Sequence, residues 1–340
     1  MKRTVLVTGG AGYVGAMLVP KLLARGFGVR VFDCFYYGRE PLETLRGAAG
    51  LEEIDADLRD RAAVERAVAG CDSVIHLACI SNDPSFELDP ELGKSINFDA
   101  FEPLVAAAKR AGVKRFIYAS SSSVYGVSES PEVREDHPLL PLTDYSKFKA
   151  LCEPIALGYN SPGFEVVVLR PATVCGYSTR MRFDLSVNIL TNLAVNNRKI
   201  TVFGGSQMRP NIHIDDITDL YVDLLDERSE LVAGETYNVG FQNRSIADIA
   251  GIVQTVVQHE MPELGPITIE TSTTDDLRSY RVNADRIERV LGYRPRRTIE
   301  DAVRDLTRAF RAGRFTNSLT DPRYFNVKLM KNAEAVAAGS

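Results

Sequence analysis

The chain has 340 residues, enough for two domains or for one large α/β unit with an appended lobe. With 45% hydrophobic and 25% charged residues it has an ordinary globular composition, which excludes disordered and fibrous classes. Forty basic against 45 acidic residues leave a net charge of −5, the wrong sign for a general nucleic-acid or membrane-surface binder.

In chain order, short β-branched runs bounded by turns predict strands over 4–8 (TVLVT), 28–33 (GVRVFD), 51–55, 73–78, 115–120 and 165–170. Between them, helical spacing covers 13–25, 61–69, 97–111 and 145–158. Strands alternating with helices imply parallel crossovers, so the expected fold is α/β, a doubly wound parallel sheet with helices on both faces. After Arg170-Pro171 the rhythm loosens into loops with one helix near 184–197, ended by Val202-Phe203-Gly204-Gly205. A strand at 236–240 and a helix from about 245 to 258 read as a brief return to the sheet, so the second, smaller lobe should be interleaved. The expected division is 1–172 plus about 213–250 for the sheet domain, about 173–212 plus 251–325 for the smaller α/β lobe, and 326–340 as a tail. Arginines crowd 278–314 on two amphipathic helices, a pattern of solvated faces. Asn332 to Ser340 read as a frayed end.

The five cysteines (Cys34, Cys71, Cys79, Cys152, Cys175) are scattered without CxxC spacing, so neither a disulfide framework nor a zinc site is expected. Met-Lys-Arg runs directly into a short apolar strand, and no later apolar run approaches ~20 residues. The cytoplasm is the expected location, with no membrane and no nucleic acid as partner.

Residues 8–15 read Thr-Gly-Gly-Ala-Gly-Tyr-Val-Gly between the first strand and the first helix. They parse as GxGxxG on Gly10, Gly12 and Gly15 or as TGxxGxxG on Gly9, Gly12 and Gly15. Such a turn brings backbone amides and a helix amino terminus up to a pyrophosphate. Asp33 ends the second strand where a carboxylate accepts from both ribose hydroxyls and repels a 2′-phosphate, favouring NAD over NADP. Asp57-Leu58 closes the third strand where the adenine edge should fall. Leu77-Ala78-Cys79 closes the fourth near the nicotinamide, with Cys79 read as a small buried apolar residue.

Tyr145 and Lys149 are four residues apart in a helical segment, hence on one face. An ammonium beside a phenol favours its anion and makes Tyr145 a usable acid/base. The fifth strand ends in four serines, Ser120 to Ser123, any of which could relay the proton.

Taken together, these elements resemble the extended short-chain dehydrogenase/reductases, in particular the NAD-dependent nucleotide-sugar epimerase and dehydratase family. The match spans roughly residues 3 to 312. It rests on TGGAGYVG, Asp33, DADL at 55–58, HLA at 76–78, Asn97, SSSSVYG at 120–126 and YSKFK at 145–149, then on RP at 170–171, RPNIHIDD at 209–216, YNVG at 237–240 and LGYRP at 291–295. The resemblance implies a Rossmann sheet and a cofactor set of Gly9, Gly12, Tyr13, Val14, Asp33, Cys34, Asp57, Leu58, Leu77, Ala78, Asn97 and Pro171, completed by Tyr145 and Lys149. It places the catalytic hydroxyl on Ser121 beside those two residues. For a nucleotide-diphosphate sugar it implies Ser121, Tyr145, Thr173, Asn188, Arg209 and Tyr280, with Arg209 on the diphosphate. Two departures stand out: Thr173 replaces an asparagine, and Thr273 replaces a second diphosphate arginine, for which Arg278 or Arg281 are substitutes. Arg182, Phe183 and Asp184 are candidates for shaping specificity, with loop packing as the alternative.

The family resemblance also implies a homodimer through the helices near 97–111 and 145–160. Dehydratases and decarboxylases of the family resemble one another in carrying Glu at position 123, where this chain has Ser123. That favours a 4-epimerase that oxidises C4, turns the 4-keto sugar and returns the hydride. A 4-ketoreductase would need the same residues, and a dehydratase would lack its acid. A catalytically idle, dinucleotide-binding regulatory protein is the reading from a different class, and the presence of Ser121, Tyr145 and Lys149 argues against it.

Overall fold

The computed structural model describes residues 2–81, 83–128, 130–274 and 279–331. Seven strands pair in parallel in the order β10-β6-β5-β4-β1-β2-β3. They are β1 (Thr4–Thr8), β2 (Gly28–Asp33), β3 (Leu51–Asp55), β4 (Ser73–His76), β5 (Arg115–Ala119), β6 (Glu165–Pro171) and β10 (Glu235–Val239). The central strands are apolar in near-continuous runs because both faces are covered; Leu6, Val7, Val74, Ile117 and Val168 are all fully buried. On one face pack α1 (Gly15–Ala24) and α8 (Ile214–Asp223), on the other α2 (Arg61–Val68), α5 (Phe101–Arg110) and α6 (Asp144–Gly158). This is the expected doubly wound sheet. Its order reverses between β1 and β4, which opens a crevice at the carboxyl ends of the strands.

Local chemistry sets the element ends. Thr143 caps α6 in a capping box with Ser146, and Asp60 caps α2 by accepting from Ala63 N. Where a single helix was expected from 97, one π-turn, Ser95–Asp99, precedes α5. The wider turn carries Asn97 inward to Ile80, in the segment that follows β4, the sort of placement such bulges serve. Two short helices, α3 (Asp83–Phe86) and α4 (Pro90–Lys94), link β4 to it.

The smaller lobe holds a three-stranded sheet, β11-β9-β7, and a strand pair, β12-β8. These are β7 (Thr173–Cys175), β8 (Lys199–Phe203), β9 (Met208–His213), β11 (Gln242–Ser245) and β12 (Thr268–Ser272). The run Val202-Phe203, expected to end a helix, lies in β8: α7 (Ser186–Asn197) stops at Arg198 in a left-handed conformation, and the chain then extends. Behind these strands pack α7, α10 (Ile246–Glu260) and α12 (Ile299–Arg311). The expected division near 250 falls inside α10, whose apolar side chains from Ile246 onward pack in the cluster of this lobe. The short α9 (Ser229–Val232) leads into β10, and α11 (Asp285–Leu291) packs near it. Residues 326–331, expected as the start of a tail, are helical, and Met330 is buried against Ile80 and Phe86. Arg278 and residues 332–340 lie outside the described residues. No helix among the described residues is long and apolar enough to cross a membrane.

Candidate active site

A cleft of about 750 Å³ runs along the carboxyl ends of the strands, between the sheet and the smaller lobe. That is the size of a small-molecule or cofactor site. Its floor is the glycine turn. Gly9 has φ +74°, and a Cβ there would lie 2.7 Å from Ala78 N; one on Gly15 would lie 2.4 Å from Gly9 O. Gly9, Gly12 and Gly15 line the cleft, while Gly10 packs against Val31, where a Cβ would lie 2.8 Å from Cγ1, and α1 starts at Gly15 with its amino terminus at the cleft.

Asp33 is fixed at the end of β2 by accepting from Ala11 N (3.0 Å) and Phe35 N (2.8 Å). Burial pushes its carboxyl up, those two amides and the charge of Arg180 hold it down, and each oxygen keeps a lone pair for a ribose hydroxyl. Exposed Cys34 follows it on the cleft wall. Asp57 lines the cleft as well, and Arg59 holds its carboxylate through Nε (2.9 Å) and Nη2 (2.7 Å), which lowers its pKa. Leu58 lines the cleft at that end. Glycine close approach, an anchored strand-end acid and an apolar adenine wall together fit a dinucleotide.

At the opposite end, Tyr145 and Ser121 share a hydrogen bond. Burial holds the phenol well above its ordinary pKa, Cys79 and Asp83 raise it further, and Arg182 and the Ser121 bond oppose them. Lys149, 4% exposed, donates from Nζ to Ala119 O at 2.6 Å and lies 5.1 Å from the Tyr118 ring centroid. A further cation, Arg182, lowers the phenol pKa by its charge; a loop brings it in, and spacing along α6 gave no means of finding it. Arg182 is itself fixed by Asp184 (2.8 and 3.1 Å) and by Ser81 Oγ (2.9 Å).

Of the cofactor, catalytic and substrate residues expected in the site, all but Asn97 and Asn188 line this cleft; of the further candidates, Arg182 and Asp184 line it and Phe183 and Arg281 do not. Tyr13, Val14, Leu77, Ala78 and Pro171 lie along the turn and strand ends, and Thr173, Arg209 and Tyr280 lie on the wall toward the smaller lobe. Asn97 does not line it: its amide is spent on Ile80, accepting from Ile80 N (2.9 Å) and donating to Ile80 O (2.9 Å). Asn188, expected on the substrate, is fully buried. Its oxygen accepts from Gly176 N (3.0 Å), and its nitrogen donates to Tyr13 Oη (3.1 Å) and Arg182 O (2.9 Å), which leaves nothing for a ligand. Residues with no expected role also line the cleft, among them Arg180, Phe203 and Asn326.

This geometry agrees with comparisons to known proteins. A profile described as the NAD dependent epimerase/dehydratase family matches residues 5–240. The chain is 29% identical over 312 residues to a dTDP-glucose 4,6-dehydratase of Streptomyces griseus, covering 89% of this chain and 92% of that one. It is 30% identical over 262 residues to a UDP-N-acetyl-alpha-D-glucosaminuronate decarboxylase of Bacillus cytotoxicus (74% and 79%). To a UDP-glucose 4-epimerase of Lactobacillus helveticus it is 26% identical over 321 residues (88% and 94%). An uncharacterized Sinorhizobium fredii protein is 31% identical over 261 residues, and the match spans 60% of that protein's length against 76% of this chain. Among solved structures, a Streptomyces venezuelae dTDP-glucose 4,6-dehydratase with NAD bound superposes with a TM-score of 0.81 at 25% identity, over 92% of this chain and 98% of that one. Glycine turn, strand-end acid, tyrosine and lysine stand in one cleft, and the profile matches more than half of the chain: the chain belongs to the NAD-dependent epimerase/dehydratase family.

Proposed function

We propose that this protein is a nucleotide-sugar 4-epimerase that binds NAD along the glycine turn and works through a transient 4-keto sugar. The observation that carries the reading is the strand end beside Tyr145. Ser121 and Ser123 face each other at 2.9 Å, and Ser122 is engaged by Tyr280 at 3.3 Å. The position where the resemblance to dehydratases and decarboxylases implies a glutamate therefore offers only a hydroxyl.

Bound NAD supplies a hydride acceptor and donor for the sugar's C4. Tyr145 takes the proton of the C4 hydroxyl and returns it, with Ser121 sharing that proton through their hydrogen bond. Arg182 supports this by pulling the phenol pKa down against its burial. Lys149 spends one donor on Ala119 O and keeps the others for a ribose. Thr173, Arg209 and Tyr280 line the wall where a nucleotide diphosphate would be held, so the sugar can turn while its handle stays fixed. Asp83 is the feature that favours elimination instead, being a buried carboxylate whose charge reaches Tyr145. It accepts from Thr143 Oγ1 at 2.6 Å, and we assign it to holding the first turn of α6. A homodimer through α5 and α6 belongs to the same proposal, and α6 exposes Leu151 on its outer side.

The test is a panel of nucleotide sugars incubated with purified protein without added reductant and followed by NMR. Isomerisation without net redox is expected; loss of water or carbon dioxide, or accumulation of NADH, would overturn the reading. Tyr145→Phe should lower turnover by at least ~10²-fold while NADH still binds. Unchanged turnover in that variant would remove Tyr145 as the base.

A further inference from the structure

The loop between β7 and α7 is stitched onto the glycine turn. Tyr13 Oη donates to Gly176 O at 2.7 Å, Ser178 Oγ donates to Tyr13 O at 2.8 Å, and Arg180 N donates to Ser178 Oγ at 3.2 Å. This places the Arg180 side chain inside the cleft, 4% exposed, with its guanidinium carbon 4.3 Å from the centroid of the Tyr37 ring. Asn326 Oδ1 accepts from its Nη2 at 2.6 Å, while its Nε is buried with no acceptor among the described residues.

A buried guanidinium with an empty donor is costly unless an anion meets it. The neighbouring carboxylates Asp184 and Asp33 offset it only in part, through their charge, because each is engaged elsewhere. Asp184 is held by both Nε and Nη2 of Arg182, and Asp33 accepts from Ala11 N and Phe35 N. Burial and the like charge of Arg182 push Arg180 down to about 10, as expected for a cation short of counter-charge. Its location narrows the ligand. Its field is felt by Asp33, at the adenosine-ribose end, and by Tyr37, which also feels Cys79 at the nicotinamide end. The bonds of Gly176 and Ser178 to Tyr13 set Arg180 beside the glycine turn, on the wall of the cleft where a dinucleotide carries its two phosphates.

We propose that Arg180 is a second anchor for the diphosphate of the dinucleotide, gripping it from the side opposite the α1 amino terminus, with Asn326 as the positioning residue that aims the guanidinium. This inference rests on the NAD-binding reading above. Asn326 can do this because the carboxyl-terminal segment is itself tied down: its backbone N donates to Asp184 Oδ2 (3.2 Å) and its Nδ2 to Ser81 Oγ (3.1 Å). The dinucleotide is then enclosed between the turn and a side chain that the last helix holds in place.

The test is binding. NADH is titrated by its fluorescence, and ADP-ribose, adenosine and UDP by calorimetry, against wild type, Arg180→Gln, Arg180→Lys and Asn326→Ala. Loss of a charge-assisted contact should raise the dissociation constants of NADH and ADP-ribose roughly 10- to 100-fold in Arg180→Gln. Adenosine and UDP should be unchanged. Arg180→Lys should fall between, since a point charge lacks the planar fork, and Asn326→Ala should shift NADH in the same direction by less. Weakened UDP with NADH intact would reassign Arg180 to the sugar nucleotide and overturn the proposal. So would equal losses for adenosine and NADH, or no change at all. If Arg180→Gln does not fold, Asn326→Ala carries the same comparison. Wild type that fails to bind NADH would instead sink the cofactor reading beneath it.

Discussion

Four serines in a row end β5, and their partners separate their roles. Ser120 Oγ donates to Glu153 Oε1 at 2.5 Å, Ser122 turns to Tyr280, and only Ser121 meets Tyr145. The sequence could not rank them by chemistry, because all four are hydroxyls and what tells them apart is the strand's alternation and residues far along the chain. His76, just beneath this site, gives a prediction that concerns stability alone. It is buried against Thr8 Oγ1 at 2.7 Å, and burial, then the charge of Lys149, push its pKa down to about 3. A depressed histidine stays neutral in the folded protein while the unfolded chain takes up a proton below pH ~6.5. Its contribution is therefore full above that pH and is lost on acidification, by about 1.4 kcal/mol per pH unit down to about pH 3. Denaturant unfolding of wild type and His76→Phe across pH 4 to 7 should show a flatter pH slope in the variant, and parallel slopes would contradict the buried neutral imidazole.

At the scale of elements, α6 must be held in register with β5 and β6 for Tyr145 and Ser121 to meet. The tie is an ion pair, Arg170 to Glu153, at 2.6 Å through Nη2, with side chains 7% and 3% exposed. Arg170 Nη1 continues to Tyr125 Oη at 2.6 Å, and that hydroxyl donates to Asn238 Oδ1 at 2.7 Å, reaching β10. Removing one charge leaves the other buried and unmatched, so Glu153→Gln should cost roughly 3–5 kcal/mol of unfolding free energy. A loss under ~1 kcal/mol by urea unfolding would mean that water already reaches the pair. The elements that carry a strong period were legible in the sequence: the alternation of strand and helix from Thr4 to Pro171, the turn at Gly9 to Gly15, and the Tyr145 and Lys149 face. Those set by tertiary partners were not. β7, with three residues, has too little sequence to show a pattern, and the Ser95–Asp99 π-turn only makes sense once Asn97 is seen holding Ile80. Asn188 shows the opposite failure, since a family position suggested a ligand contact while local packing uses every polar atom it has.

For the whole molecule, the cleft exists only while three pieces of chain stay together: the sheet, the smaller lobe and the segment from 318 to 331. That last segment is integral to the structure. Asn192 Nδ2 donates to Ser318 O (2.9 Å), Phe183 N donates to Tyr324 O (2.9 Å), and Phe183 is fully buried among Phe310, Phe315 and Tyr324. Any ligand that needs all three pieces stabilises their union by mass action, about 2.7 kcal/mol at 100 times its dissociation constant. Wild-type protein with NAD at that excess should therefore melt at a higher temperature than without it. A chain ending at Asn317 should melt lower than wild type, because Phe183 loses part of its cover, and its gain on adding the same NAD concentration should be smaller. Calorimetry of both chains with and without NAD separates the two effects. A truncated chain that melts lower but keeps the full NAD increment would show that the carboxyl-terminal segment supports the fold without closing the dinucleotide cleft.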